Sequence, residues 1–120
     1  MGWVRAGSVL MGLGVALGAY GAHGMRQSFP VEAQQSYHTA VLYQLIHGLA
    51  LLAVGCLTIL KPTKTLLKVS GWAFVLGIGL FSGSLYLLSL TGMKRLGIVT
   101  PFGGLALLLG WLCLACAATP

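Results

Sequence analysis

The chain has 120 residues, of which 58% are hydrophobic and only 7% are charged, and its formal net charge is +6. About a quarter of the residues in an ordinary soluble domain are charged, so this composition excludes that class and predicts an integral membrane protein. Glu32 is the only acidic residue. Its isolation excludes paired-carboxylate catalysis, a carboxylate proton relay and acid-rich calcium or magnesium sites within one chain.

The charged residues divide the sequence into four apolar stretches. These charge-free stretches cover residues 6–25, 33–60, 69–93 and 96–120. A helix needs about 20 mainly apolar residues to cross a bilayer, so each stretch is long enough. Because the cations flank the apolar stretches and form no stripe with interleaved aromatic residues, we expect them to contact lipid headgroups, and we expect no binding of nucleic acid.

Helix one is predicted over residues 3–22. Arg5 before an apolar run, followed by Ala19-Tyr20-Gly21, also fits a secretory signal peptide. The stretch is rich in glycine, whereas secretory cores are usually rich in leucine, and this favours a membrane helix. Gly14 and Gly18 form a small-xxx-small pair, which predicts close contact with another helix.

Helix two is predicted over residues 30–60. Pro30 and Glu32 suit the positive N-terminal end of a helix, and Lys61-Pro62 predicts where this helix stops. The same reasoning places helix three at residues 67–90, with Thr91-Gly92 as its C-terminal cap.

Glycines are expected to line one side of helix three, at positions 71, 79 and 83. Helix four is predicted over residues 101–118, with Thr100 as the N-cap and Pro101 at the first helical position. Trp111 falls near the middle of helix four, where we expect it to pack over a glycine-bearing neighbour.

The predicted fold class is all-α: a single transmembrane helical domain over residues 1–120, formed as a four-helix bundle with short connections. With the N-terminus inside, four cations lie on the inner side and three on the outer side. The inner cations are Arg5, Lys61, Lys64 and Lys68, and the outer ones are Arg26, Lys94 and Arg95. This weak bias, with Trp3 and Trp72 in an inner interfacial belt, predicts cytoplasmic termini.

The polar residues that could carry chemistry centre on helix two. Tyr43, Gln44 and His47 lie on neighbouring positions of one helical face. With serines and a tyrosine of helix three they form a candidate polar cluster, whose other members are Ser82, Ser84 and Tyr86. An ionisable residue at membrane depth invites a functional hypothesis. The structural interpretation is that a neutral His47 bonds a polar residue of helix three and holds the two helices together.

Two further pairs of residues have some features of a metal site or a redox site. His23 and His38 flank the first connection, and imidazole suits zinc or copper, but two ligands without support make a poor site. Cys113 and Cys116 have the i, i+3 spacing of a redox motif, although cysteines in such an apolar run usually pack. We therefore predict no metal site, no cofactor and no catalytic residue.

Four ordered motifs carry a resemblance to a known family. They are Gly-Ala-Tyr-Gly-Ala-His-Gly at 18–24, Tyr-Gln-Leu-Ile-His-Gly-Leu-Ala-Leu-Leu at 43–52, Phe-Ser-Gly-Ser-Leu-Tyr at 81–86, and Thr-Pro-Phe-Gly-Gly followed by Gly-Trp at 100–111. The chain resembles the DUF423 family of small four-helix membrane proteins, related to the eukaryotic transmembrane protein 256. Besides the polar cluster, the matching positions include His23, Gly83, Thr100, Pro101, Gly103, Gly104 and Trp111.

The resemblance implies a multi-pass protein of the bacterial inner (plasma) membrane and no established activity. Three hypotheses for function remain. The first is a non-enzymatic accessory, assembly or scaffolding subunit that acts through membrane partners or as a homo-oligomer. The alternative is an oligomeric transporter or channel for a small solute, with the polar cluster around His47 lining a path. The third is a membrane enzyme or a metal or haem binder built on the three histidines.

Overall fold

The computed structural model describes residues 1–25 and 28–118 and consists of helices joined by short connections. Helix α1 spans Gly2–His23, α2 spans Val31–Leu60, α3 spans Thr65–Thr91 and α4 spans Thr100–Ala117. All four are long and apolar enough to cross a membrane. The predicted all-α class and the predicted helix positions are confirmed, to within two residues at every helix end. Arg26, used in the charge count, lies outside the described residues.

The helix ends follow from local chemistry. Pro30 precedes α2, and the extended backbone at Lys61 ends it. Helix α3 closes at Gly92, which adopts φ +72°, a left-handed conformation that glycine enters without steric cost. A short 3-10 helix, Lys94–Ile98, then leads directly into α4.

The cap predicted for α4 was wrong. Val99 takes the N-cap position, and Thr100 is already the first residue of the helix. The Thr100 hydroxyl lies 2.6 Å from the Ser84 hydroxyl of α3, so it serves contact between helices instead of capping its own. Pro101 remains in the first turn, where its missing N–H costs nothing.

The helices form a flattened bundle of about 51 × 26 × 17 Å. Each packs chiefly on its neighbours in the chain: α1 on α2, α2 on α3, and α3 on α4. One apolar cluster joins these helices around Leu51, Phe74 and Leu107, and a second lies around Met25, Tyr37 and Val41.

Glycine sets the close approaches between helices. A Cβ at Gly7 of α1 would lie 2.8 Å from the Gly48 carbonyl oxygen of α2. A Cβ at Gly103 of α4 would collide with the backbone of Phe81 in α3. These contacts let backbones meet at van der Waals distance, which is the main source of helix attraction inside lipid.

The expected row of glycines on α3 is divided. Gly71 packs under the ring of Trp3, where a Cβ would lie 2.6 Å from ring atoms, whereas Gly79 and Gly83 have nothing within 4 Å of a Cβ position. At 100° per residue, Gly71 lies on a different side of the helix from the other two. The last two glycines therefore form an open pair on the outer surface of the bundle.

Candidate functional site

His47 lies in the bundle interior with 4% of its surface exposed. Its Nε2 accepts a hydrogen bond of 2.9 Å from the indole N–H of Trp111 in α4. Its Nδ1 lies 2.7 Å from the Tyr43 carbonyl oxygen, one turn earlier in α2. Because an indole only donates, Nε2 must accept and Nδ1 must carry the proton. The hydrogen bonds therefore specify a neutral imidazole with both nitrogens occupied.

Aromatic rings surround this imidazole. The ring of Phe74 lies 5.6 Å from that of His47 and 5.0 Å from that of Trp111. The Tyr43 ring stacks on the histidine at 5.9 Å and also contacts Phe81 at 4.4 Å. The partner expected for His47 was wrong: it bonds Trp111 of α4, and none of Ser82, Ser84 and Tyr86 of α3. Trp111 packs on the rings of His47 and Phe74, which belong to helices that both carry glycines.

Gln44 joins three helices. Its amide Nε2 donates to the Leu10 carbonyl oxygen of α1 at 2.7 Å, and its Oε1 accepts from the Tyr86 hydroxyl of α3 at 2.5 Å. The Tyr37 hydroxyl of α2 makes a parallel link to the Leu17 carbonyl oxygen of α1 at 2.6 Å. Each link uses a carbonyl or amide that faces the adjacent helix, so these polar groups hold α1 and α3 against α2.

Serines attach α3 to both of its neighbours. Ser82 donates to the Ala40 carbonyl oxygen of α2 at 2.7 Å, and Ser70 donates to the Gly110 carbonyl oxygen of α4 at 2.8 Å. The Ser84 hydroxyl shares its 2.6 Å hydrogen bond with Thr100. These three serines are buried, with at most 5% of their surface exposed.

The candidate polar cluster is thus several separate links instead of one connected network. Within the described residues, no buried side-chain nitrogen or oxygen lacks a hydrogen-bond partner. Gln44, His47, Ser82 and Ser84 are buried, whereas Tyr43 is 37% exposed on the outside of the bundle. Sequence reasoning missed Ser70 and Tyr37, although a serine or tyrosine within an apolar run is a signal that could have found them.

Two surface cavities lie at one end of the bundle, away from His47. The first, of about 510 Å³, lies between the end of α1 and the beginning of α2. His23 and His38 both line it, together with Gln34 and Tyr37. The second, of about 440 Å³, lies between the beginning of α2 and the end of α3.

The described residues do not gather a recognisable metal centre. Within residues 1–25 and 28–118, no group of three or more histidine, cysteine or acidic residues could hold an ion. Cys113 is buried and Cys116 is exposed, so the two cysteines differ in environment despite their i, i+3 spacing.

The comparisons with known proteins agree with this architecture. The family model described as "Protein of unknown function (DUF423)" matches residues 17–104, which include the end of α1, all of α2 and α3, and the beginning of α4. The chain belongs to the DUF423 family. No solved structure matches it.

DUF423 relatives in several bacteria match most of the chain. The UPF0382 membrane protein YwdK of Bacillus subtilis is 40% identical over 97% of this chain and 94% of its own. The UPF0382 membrane protein SH2409 of Staphylococcus haemolyticus is 39% identical over 93% of this chain and 90% of its own. A UPF0382 membrane protein of Haemophilus influenzae is 41% identical over 84% and 80%. The four membrane-capable helices and these names identify a membrane protein.

Proposed function

We propose that this DUF423 protein is a non-enzymatic scaffolding or accessory subunit that acts by associating with other membrane helices, including further copies of itself. The observation that carries the proposal is the open glycine pair of α3. Gly79 and Gly83 lie one turn apart on the outer face, and outside the local backbone of α3 no atom of the described residues lies within 4 Å of a Cβ position at either. A glycine pair at this spacing lets a second helix approach closely in lipid.

The surroundings of the pair support an interface. Leu76 and Leu87 flank it on the same face and are 58% and 53% exposed. Elsewhere in the bundle, glycines at positions 7, 77 and 103 are covered by the next helix. The outer face of α3 therefore carries a similar pair of glycines that no helix of the described residues covers.

The arrangement at His47 supports a packing role over passage of a solute. A residue that lines a path must offer hydrogen-bonding groups to the solute, but both nitrogens of His47 are occupied by Trp111 and Tyr43. Neither cavity described above is lined by His47. Flux through a protomer would require this aromatic centre to open.

The proposal places the protein in the bacterial inner membrane with both termini in the cytoplasm. Its bacterial relatives support this placement, and so does the small excess of cations on the side that holds Arg5 and the connection between α2 and α3.

The test substitutes isoleucine at both positions, Gly79→Ile with Gly83→Ile, because branched side chains keep a second backbone at a distance. We expect the variant to lose homo-association or partner recovery, measured by native mass spectrometry and by pull-down from the source membrane in gentle detergent. Gly12→Ile is the matched control, since Gly12 of α1 also has nothing within 4 Å. The same associated mass in the wild type and the double variant would overturn the proposal.

A further inference from the structure

The cavity between the beginning of α2 and the end of α3 is amphiphilic. Because the two helices are antiparallel, the first turns of α2 lie beside the last turn of α3. The walls are formed by Phe29, Pro30, Glu32, Ala33, Ser36, Leu88, Ser89, Leu90, Thr91, Gly92 and Lys94. Aromatic and leucine side chains thus share a cavity of about 440 Å³ with hydroxyls and two charges.

The position of the cavity corresponds to the edge of the hydrocarbon layer. Helix α2 has 30 residues and is therefore about 45 Å long, whereas the hydrocarbon core is about 30 Å thick. The first turns of α2 consequently extend into the headgroup region. The nearby end of α3 carries Leu90, which is 47% exposed.

The two charges in the wall have opposite signs. Glu32 is the only acidic residue of the chain, and Lys94 follows the glycine cap of α3. Both side chains are exposed, and neither is bonded to another of the described residues. An occupant that carries one cation and one anion would complement both charges.

We propose that this cavity holds the headgroup of a zwitterionic aminophospholipid. The phosphate binds Lys94, and the primary ammonium donates a hydrogen bond to the Glu32 carboxylate. The acyl chains continue beside Leu88 and Leu90 towards the hydrocarbon core. A choline headgroup has no N–H to donate, and a glycerol headgroup has no cation, so both complement the cavity less well. The inference is independent of the proposed association through α3.

The test measures which lipids remain bound after purification from bilayers containing equal parts of phosphatidylethanolamine, phosphatidylcholine and phosphatidylglycerol. We expect phosphatidylethanolamine to be enriched about two- to fivefold over either competitor, because only its primary ammonium adds an exposed, hydrogen-bonded ion pair with Glu32. Glu32→Gln should abolish this enrichment. Lys94→Gln should weaken retention of all three phosphate-bearing lipids.

Both substituted side chains are exposed, so the variants should fold, and circular dichroism checks this. Lys68→Gln changes an exposed lysine at the opposite end of α3 and should leave the enrichment intact. The exchange of both charges, Glu32→Lys with Lys94→Glu, should retain more phosphatidylethanolamine than either single variant. Equal retention of the three lipids by the wild type, or unchanged enrichment in Glu32→Gln, would overturn the proposal. Tighter binding of soluble phosphoethanolamine than of phosphatidylethanolamine would overturn a lipid as the occupant.

Discussion

His47 illustrates how a histidine can be structural inside a membrane. An isolated polar side chain in hydrocarbon is costly, but the two bonds to Trp111 and to the Tyr43 carbonyl satisfy both ring nitrogens. The indole donor also prevents a second proton on Nε2, because two donors would then face each other. Protonation of His47 therefore requires the hydrogen bond from Trp111 to break.

The strength of this bond can be measured with the variants His47→Ala and Trp111→Phe, singly and together. Interhelical hydrogen bonds in membranes contribute about 0.6 kcal/mol on average and up to about 1.7 kcal/mol. We expect a coupling free energy in that range from a double-mutant cycle of unfolding in detergent micelles. Tyr43→Phe is the control partner for Trp111→Phe, since Tyr43 bonds His47 through its backbone carbonyl and phenylalanine keeps the ring that stacks on the histidine. A coupling as small as that of the control would show that the bond contributes nothing.

The identity of the histidine's partner was beyond sequence reasoning. The spacing of Tyr43, Gln44 and His47 predicted one polar face of α2. Of the residues expected to meet it, Ser82 and Tyr86 bond α2, whereas Ser84 bonds α4. Spacing along one helix, however, does not specify which helix faces a given position. The rotation of α4 that brings Trp111 to His47 depends on side-chain packing at Phe74 and Leu107. A functional role for the polar cluster stays a prediction.

At the scale of the helices, one glycine contact decides how closely α3 and α4 approach. A Cβ at Gly103 would overlap the Phe81 backbone, which cannot rotate away as a side chain can. We expect Gly103→Ala to force the helices apart and to lower the free energy of unfolding by about 1–3 kcal/mol, as overpacking commonly does. The measurement is reversible unfolding in mixed micelles.

The adjacent residue provides the control. A Cβ at Gly104 would lie 3.7 Å from the Phe81 ring, which is an ordinary contact. Since alanine is a better helix former by about 1 kcal/mol, Gly104→Ala should be neutral or stabilising. Equal destabilisation by both variants would mean that loss of glycine, and not the close approach, is responsible.

The helices themselves were predictable because long charge-free runs leave few alternatives in a bilayer. The runs at 33–60 and 69–93 correspond closely to α2 and α3. The 3-10 helix at Lys94–Ile98 was not predicted, since two cations and a glycine within five residues resemble an ordinary loop. Likewise, no local signal separates the covered Gly71 from the open Gly79, because exposure depends on where the neighbouring helices lie.

For the whole molecule, four spans place both termini and the connection between α2 and α3 on one side of the membrane. The first connection and the 3-10 helix lie on the other side. In a protein with its three native cysteines replaced, Ser28→Cys and Lys94→Cys should react with a membrane-impermeant maleimide from the same side. Thr63→Cys should react only from the opposite side. The two sides are distinguished by labelling right-side-out vesicles and inverted vesicles separately.

Ile46→Cys is the control for depth, because Ile46 is 43% exposed but lies in the middle of α2, within the bilayer. It should remain unlabelled from either side. Labelling of residues 28 and 63 from one side would rule out four complete spans, and the preferred side of labelling at residue 63 would test the cytoplasmic placement of the termini.

The packing of each helix on its predecessor has a consequence for how the protein is made. As synthesis proceeds from the N-terminus, α2, α3 and α4 each enter a membrane that already contains one of the helices they pack against. The bond from Trp111 to His47 is different, because it connects α4 to α2 across the intervening helix. It can form only after α4 has been inserted, and it is therefore among the last contacts of the bundle to form.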